Sequence, residues 1–167
     1  YLYQGQTYLC KAARIEQYST AADDKNITFV PMLTPSLIVR ADAMAVEQVL
    51  ENLISNAVKF SPLGGMVNIA LTDGRILHHD GTESVQNDYI CICVRDEGAG
   101  ILETDKPRLF GKFARLSARP TGNEHSTGLG LSIVKKMVDA IQGRVWCESE
   151  ASQGRAGTTF IVLLPKA

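Results

Sequence analysis

The sequence is short of several features that would assign it to common functional classes. Its 17 Lys and Arg residues nearly balance its 18 Asp and Glu residues, so no broad basic surface is expected. No apolar run approaches the roughly 20 residues that a membrane-spanning helix needs, and no signal-peptide pattern opens the chain. We therefore expect neither nucleic acid nor a membrane to contact this chain.

Its four cysteines lack a metal-binding spacing. Cys91 and Cys93 are separated by one residue in "YICICV", so they face the same way on a strand, whereas Cys10 and Cys147 stand alone. This pattern is typical of buried, reduced thiols and favours a reducing compartment. The sequence also lacks the Walker pattern G-x-x-x-x-G-K-[ST], which excludes that common phosphate-binding loop.

The length of 167 residues fits one globular domain spanning residues 1–167. Since 45% of these residues are hydrophobic, the domain can bury a substantial core. The chain does not begin with Met, so we expect it to be part of a longer protein. We predict a helix over residues 6–27, strands over 27–33 and 36–41, and a second helix over 42–60. Strands over 66–72 and 89–97 follow, and then a long loop over 98–127. The chain ends with a helix over 129–142 and strands over 144–150 and 158–164. This order favours helices on one face of a mixed sheet.

The helix over residues 42–60 carries a polar line beside its apolar stripe. Asp42 is an N-cap candidate, and Ser61-Pro62 ends the pattern. Asn52 and Asn56 are four residues apart and Lys59 is three further on, so the three share one face. They could offer amide oxygens to a hard cation and an ammonium to phosphate, or they could simply be the solvated edge of an amphipathic helix.

Two further groups combine glycine with polar residues. "VRDEGAGI" places Asp96 at the end of a strand, followed by Gly98 and Gly100, and this is either a ligand-binding turn or an ordinary tight turn. In "HSTGLGLSIV", Gly128 and Gly130 leave backbone N–H groups uncovered at the start of a helix. Such amides and the helix dipole favour an anion, which predicts a phosphate there.

The order of these groups resembles one known family. "NLISNAVKFS", "DEGAGI" and "STGLGLSIV" resemble the N box and the two glycine boxes of the ATP-binding catalytic domain of sensor histidine kinases. "LFGKFARL" resembles its F box, and "GTTFIVLLP" resembles the end of that domain. The resemblance covers residues 7–165. It places the chain in the superfamily of gyrase, heat-shock chaperone, histidine kinase and mismatch-repair ATPases.

That resemblance implies an α+β fold: a two-layer sandwich with a mixed, mostly antiparallel sheet of about five strands and three helices on one face. It also implies ATP and Mg²⁺ as cofactors. Asn56 would coordinate Mg²⁺, with Asn52 nearby, Lys59 would contact phosphate, and Asp96 would bind the adenine amino group. The other residues that it implies around ATP are Phe60, Gly98, Gly100, Ile101, Thr127, Gly128, Leu129, Gly130, Leu131 and Thr158.

Residues 101–127, called the lid below, would be a mobile cover over ATP. The resemblance implies that Phe110 and Phe113 anchor this lid and that Arg115 contacts phosphate. The chain departs from the family pattern at Glu97 and at Ser126. Asn52 stands where the ATP-hydrolysing relatives have Glu, and Asn cannot act as a general base. We therefore expect the chain to hold ATP rather than to hydrolyse it quickly.

None of the three histidines has the setting of a phosphoacceptor, and we expect His78, His79 and His125 to lie at the surface. The family's dimerisation hairpin with its acceptor histidine is absent from the sequence, so we expect it to precede residue 1. The implied partners are ATP, that hairpin and a downstream response regulator. We expect a cytoplasmic location and leave open whether a longer protein is anchored in a membrane.

Two alternatives to a histidine kinase remain. One is a serine protein kinase of the same superfamily, such as an anti-sigma-factor kinase. The length of the lid and its F-box-like segment disfavour it. The other is a nucleotide-sensing module without phosphoryl transfer, which Asn56, Asp96 and the glycines disfavour.

Overall fold

The computed structural model describes residues 7–9, 19–114, 116–122, 124, 126–151 and 156–167. Within these residues the chain forms nine strands, three α-helices and a short 3-10 helix over Lys106–Arg108. In chain order the elements are β1 Thr7–Leu9, α1 Ser19–Asp24, β2 Thr28–Leu33, β3 Ile38–Arg40, α2 Ala43–Phe60, β4 Met66–Thr72, β5 Arg75–Leu77, β6 Glu83–Val85, β7 Tyr89–Asp96, α3 Gly130–Ala140, β8 Arg144–Glu150 and β9 Gly157–Pro165.

A five-stranded sheet in the order β2-β4-β7-β9-β8 forms the centre of the fold. Only β2 and β4 are parallel within it, and the other three pairs are antiparallel. The expected mixed, mostly antiparallel sheet is therefore confirmed. The register of β7 on β9 sets Asp96 opposite Thr158 at one end of the sheet.

All three helices pack on one face of this sheet, as expected. Buried residues of α1, α2 and α3 join alternate residues of β4, β7 and β9 in one cluster, called the helix-side core. The remaining buried hydrophobic residues of those strands face the opposite way and join Ile76 of β5 in a second cluster, called the far-side core, which consists of Ala70, Ile76, Cys91, Cys93, Ile161 and Leu163. The prediction that Cys91 and Cys93 share a face is confirmed.

Helix α2 forms where the sequence predicts it, for the predicted reasons. The Asp42 side chain accepts hydrogen bonds from the backbone N–H groups of Met44 and Ala45, which caps the first turn. The buried face of α2 consists of Val46, Val49, Leu53, Ile54, Ala57 and Val58. Ser61 ends the helix immediately before Pro62.

The helix predicted over residues 6–27 is wrong in part. Residues 7–9 form β1, which pairs antiparallel with β3, and only Ser19–Asp24 is helical among the described residues of this range. Residues 10–18 lie outside the described part of the chain. A distant pairing partner overrides the local helical pattern here, because strand preference depends on neighbours more than on the residue itself.

The connection between β4 and β7 contains two further strands. Strands β5 and β6 pair within it, and Ile76 of β5 packs into the far-side core. We call this unit the β5–β6 hairpin; it covers part of the sheet face that has no helix.

Strand β2 is an edge strand of the sheet in the part of the chain that is described. Its backbone N–H groups point alternately toward β4 and away from it. Thr28 donates to Gly65 and Thr34 donates to Leu71 on the β4 side, so the nitrogen of Pro31 points away from β4. Val30, Met32 and Leu33 are exposed beside it. No helix among the described residues is both long and apolar enough to cross a bilayer.

Candidate functional site

A cavity of about 780 Å³ opens beside the polar edge of α2. Its walls come from α2, the adjacent ends of β7 and β9, the lid and the start of α3. The residues that the sequence predicts around ATP and that line this cavity are Asn52, Asn56, Lys59, Phe60, Asp96, Gly98, Gly100, Ile101, Phe113, Thr127, Gly128, Leu129, Gly130, Leu131 and Thr158. The fold therefore gathers these segments around one space.

One described residue among those predicted, Phe110, is not part of that wall. Phe110, itself a lid residue, is half-buried against the helix-side core. Arg115 lies outside the described residues, so the structure gives it no position. Arg119, which the sequence analysis did not single out, lines the cavity from the lid. It precedes Pro120, a residue that restricts the backbone before it, but that signal alone does not point to a ligand.

The polar edge of α2 faces the cavity rather than bulk solvent alone. Asn52 is half-buried and donates its amide to the backbone oxygen of Gln48 at 2.9 Å, which fixes the side chain. Its Oδ1 lies against the start of α3, where a Cβ added to Gly130 would come within 3.1 Å of it. Gly130 thus lets α3 begin close to α2, in addition to leaving its amide uncovered.

Asp96 is the buried charge of the cavity, with 4% of its surface exposed. Burial raises the pKa of this carboxyl to about 6, although hydrogen bonds from the backbone of Gly98 and Thr158 act in the opposite direction. The Gly98 N–H donates to Asp96 Oδ1 at 2.8 Å. At pH 7 the group is still mostly ionised, so it presents an acceptor to any ligand that reaches it.

The turn after Asp96 requires glycine for steric reasons. A Cβ at Gly98 would lie 2.6 Å from the backbone oxygen of Phe60 and 2.8 Å from Asp96 Oδ1. The backbone therefore approaches the end of α2 so closely that a side chain has no room. This close approach brings the Asp96 carboxylate and Phe60 to the same side of the cavity.

The lid is held at several points along its length. Ile101 is buried, and its N–H donates to Ser149 Oγ at 2.8 Å. Buried Asp105 accepts from the backbone N–H of Ser117 at 2.8 Å, which closes a loop within the lid. In the middle of the lid, the Phe113 N–H donates at 3.0 Å to the oxygen of Gly128, the residue that follows the lid. The lid thus lies along the cavity and ends at the start of α3.

The expectation that all three histidines lie at the surface is wrong for His79, which is 9% exposed. His79 Nδ1 lies 3.0 Å from Thr159 Oγ1 of β9. His78 is half-buried, with Nδ1 2.8 Å from Glu148 Oε1 and Nε2 2.7 Å from Ser84 Oγ. The cause is the β5–β6 hairpin, which folds back onto β8 and β9. His125 lies outside the described residues.

Glu148 is a second polar residue that the sequence did not reveal. Partial burial alone would raise the pKa of its carboxyl, but hydrogen bonds from the His79 backbone, Trp146 and His78 outweigh burial and lower it. Trp146 Nε1 donates to Glu148 Oε1 at 3.0 Å. These contacts join the hairpin to β8 on the sheet face opposite the helices.

Comparison with known proteins gives three kinds of match. Residues 41–167 match the family described as histidine kinase-, DNA gyrase B- and HSP90-like ATPases. The chain is 36% identical over 143 residues to the sensor histidine kinase WalK of Bacillus subtilis (strain 168), an alignment that covers 85% of this chain and 21% of WalK. The chain therefore spans about a fifth of the length of that relative.

Solved structures match over nearly the whole chain. The mycobacterial sensor histidine kinase MprB superposes with a TM-score of 0.77 at 23% identity, covering 96% of this chain and 98% of that one. Full-length ShkA in complex with AMPPNP superposes with a TM-score of 0.74 at 23% identity, covering 98% of this chain and 32% of that one. Because both structures are only 23% identical to this chain, the superpositions show that the folds are alike and show nothing further.

Proposed function

Because the chain belongs to the family of histidine kinase-, DNA gyrase B- and HSP90-like ATPases, we infer that residues 1–167 are the ATP-binding catalytic domain of a two-component sensor histidine kinase. One observation carries the proposal. A single cavity brings together the Asn-Lys face of α2, the carboxylate at the end of β7 and the glycine-flanked start of α3. These groups match the chemistry of an amide-coordinated cation, an adenine amine and a polyphosphate.

Adenine recognition is assigned to Asp96. Its buried carboxylate is an acceptor without a competing solvent shell, which suits the exocyclic amine of adenine. Thr158 lies opposite Asp96 on β9, the Gly98 N–H donates to the carboxylate, and Ile101 and Phe60 supply apolar wall to the same cavity. A flat base fits such a site because the faces of the base are apolar, like Ile101 and Phe60, and the edge of the base is polar, like the Asp96 carboxylate.

The phosphates are assigned to the part of the cavity wall at the start of α3. Thr127, Gly128, Leu129 and Gly130 surround the start of α3, where uncovered amides and the helix dipole favour negative charge. Lys59 of α2 and Arg119 of the lid bring cationic side chains to the same cavity. Within the described residues the charges of this wall therefore suit a polyphosphate.

Magnesium fits the donor set on α2. Asn56 is half-buried, lines the cavity and offers an amide oxygen of the hard type that Mg²⁺ prefers. The described residues contain no cluster of three or more His, Cys, Asp or Glu able to hold a metal. That agrees with a Mg²⁺ ion held by one or two protein oxygens and by the substrate phosphates. When bound, the ion would neutralise charge on the phosphates.

Transfer of the γ-phosphoryl group is proposed to go to a histidine outside this chain. His78 and His79 are engaged with Glu148, Ser84 and Thr159 on the far side of the sheet. Asn52 cannot act as a general base toward water, so the site holds ATP for an incoming acceptor. The proposed acceptor lies on a separate dimerisation hairpin, a response regulator receives the group next, and the setting is cytoplasmic.

The test mixes this chain, γ-labelled ATP with Mg²⁺, and a two-helix hairpin of the proposed kind that carries an acceptor histidine. We expect label on the hairpin that is lost in acid and kept in alkali, as a phosphorylated imidazole behaves. The control replaces the hairpin's acceptor histidine by glutamine and should remain unlabelled. Acid-stable label would instead favour the serine-kinase alternative. ATP binding without transfer to the hairpin would favour a nucleotide-sensing module.

A further inference from the structure

Lys25 is a buried lysine in the turn between α1 and β2, with only 6% of its surface exposed. Its ammonium lies 3.0 Å from the Val58 backbone oxygen, 2.9 Å from that of Lys59 and 2.8 Å from Thr121 Oγ1. Glu124 Oε1 is 2.7 Å away and supplies the opposite charge. A lysine is rarely buried unless it is paired in this way, since desolvating its charge is costly.

The backbone around Lys25 is fixed by its own hydrogen bonds. The Lys25 oxygen accepts from the Gly64 N–H at 2.8 Å, and the Ile27 N–H donates to the Ala22 oxygen at 2.8 Å. The turn therefore ties the end of α1 to the loop that follows α2. The Lys25 side chain therefore extends from a backbone that these hydrogen bonds hold in place.

Two of the four acceptors belong to the last turn of α2. The final carbonyls of a helix have no partner within it and carry the negative end of the helix dipole, so a buried cation is favourable there. Lys59, whose oxygen is one of these acceptors, also lines the cavity. Lys25 therefore supports the end of the helix that carries Asn52 and Asn56.

The other two acceptors belong to the lid. Thr121 is further fixed because its N–H donates to the Lys59 oxygen at 3.1 Å and its hydroxyl to the Ser61 oxygen at 2.5 Å. Glu124 also accepts from the Gly122 N–H at 3.0 Å. Partial burial alone would raise the pKa of Glu124, but the hydrogen bond and charge of Lys25, together with backbone hydrogen bonds such as that from Gly122, outweigh it and lower the pKa.

This contact lies between two lid segments that face the cavity. Arg119 and Pro120 line it just before Thr121, and Ser126 and Thr127 line it just after Glu124. We propose that Lys25 is a positioning residue that clamps the C-terminal part of the lid onto the C-terminal end of α2 and so sets the lid's closed position over the nucleotide. The proposal rests on the proposed function, because the lid covers a ligand only if the cavity binds one.

The first test needs no nucleotide, so it is independent of ATP binding. We compare hydrogen exchange of the backbone amides of residues 116–122 in the wild type, Lys25→Met, Glu124→Gln and Glu103→Gln. Glu103→Gln is the matched control, since it makes the same change within the lid but its carboxylate pairs with Lys106. Removing Lys25 should raise the exchange rate of the Thr121 amide by about tenfold. This rise corresponds to a loss of about 1.4 kcal/mol from the free energy of local opening.

Glu124→Gln should raise exchange at the same amides by about threefold, because Glu124 is partly exposed. Amides of β7 and β9 should keep their wild-type rates in this variant. If Lys25→Met raises exchange in β7 and β9 as well, the substitution has destabilised the whole fold. The exchange of residues 116–122 in Glu124→Gln is then the result that tests the clamp. Wild-type exchange at residues 116–122 in Glu124→Gln, or an equal rise in Glu103→Gln, would overturn the clamp.

The second test measures affinity for an ATP analogue with Mg²⁺ in the same variants. With the clamp lost, part of the binding free energy must order the lid, so the dissociation constant should rise by about threefold or more in Glu124→Gln. Faster lid exchange without weaker binding would overturn the positioning role while leaving the clamp itself intact. Absence of binding in the wild type would contradict the proposed function and not the clamp.

Discussion

At the scale of single residues, Asp96 is the position where stability and binding oppose each other. Its carboxyl is buried at the end of β7 and is held by the Gly98 N–H. The sequence reveals the carboxylate and the glycines around it, because their order resembles a family motif. It does not reveal the degree of burial, which comes from the register of β7 on β9 and from the close approach of Phe60 to Gly98.

Replacing Asp96 by Asn should weaken ATP binding by about 1.5–3 kcal/mol, the range for a hydrogen bond to a charged group. GTP binding should change little, because guanine has a carbonyl oxygen where adenine has its amine. Calorimetric titration with both nucleotides measures the difference. Asp88→Asn, a change at an exposed residue before β7, is the control and should leave both affinities unchanged. Equal losses for ATP and GTP would mean that Asp96 does not contact the base.

The same substitution should stabilise the nucleotide-free protein at neutral pH, by about 1–3 kcal/mol. Burial raises the pKa of Asp96 from 3.8 to about 6. Since the folded pKa lies above the unfolded one, the wild type loses stability as the pH rises from about 4 through 6. Asn does not titrate, so its advantage should grow over this window and stay constant above it. Thermal unfolding between pH 4 and 8 measures the effect, and an advantage that does not vary with pH would contradict it.

Lys25 and His79 show what a residue pattern does not contain. Nothing beside Lys25 in the sequence points to Thr121 or Glu124, because the contact joins a turn near one end of the chain to the lid. His79 lies in a polar stretch that predicts exposure, yet the hairpin places it against Thr159. Both are buried by distant partners, and a local pattern carries no information about distant partners.

At the scale of elements, α2 was predictable and β1 was not. The cap at Asp42, the apolar spacing and the stop at Ser61-Pro62 all lie within the helix or beside it, so α2 can be predicted from local sequence alone. Strand β1 exists through its pairing with β3, and the β5–β6 hairpin exists through its packing on the sheet. An element whose partners are distant in sequence is the kind that local spacing predicts poorly.

The functional face of α2 can be tested apart from its packing. Asn56→Ala should weaken Mg²⁺-dependent ATP binding by about tenfold or more, because a hard oxygen ligand is lost from the cavity wall. Gln48→Ala is the control on the same helix, since Gln48 does not line the cavity. Titration of ATP with and without Mg²⁺ separates loss of the metal from loss of the base contact. Wild-type affinity of Asn56→Ala in the presence of Mg²⁺ would remove this residue from the metal site.

At the scale of the whole molecule, the sheet has a hydrophobic core on both faces. The second core depends on the β5–β6 hairpin, where Ile76 is 3% exposed. Ile76→Ala should lower the free energy of unfolding by about 2–4 kcal/mol, the cost of a cavity in a packed core. Val85→Ala on the same hairpin, 57% exposed, should change it by less than about 0.5 kcal/mol. Chemical unfolding of both variants measures this, and equal effects would mean that the hairpin does not close a core.

The position of Pro31 on β2 has a consequence for how this protein behaves when crowded. Its nitrogen points away from β4, toward the side where a strand of another molecule would have to pair. Because proline lacks the N–H that such pairing needs, an incoming strand would lose a bond at the middle of β2, between exposed Val30 and Met32. Within the described part of the chain, Pro31 therefore weakens the pairing of β2 with a strand of another molecule, even though the side chains along this edge are apolar.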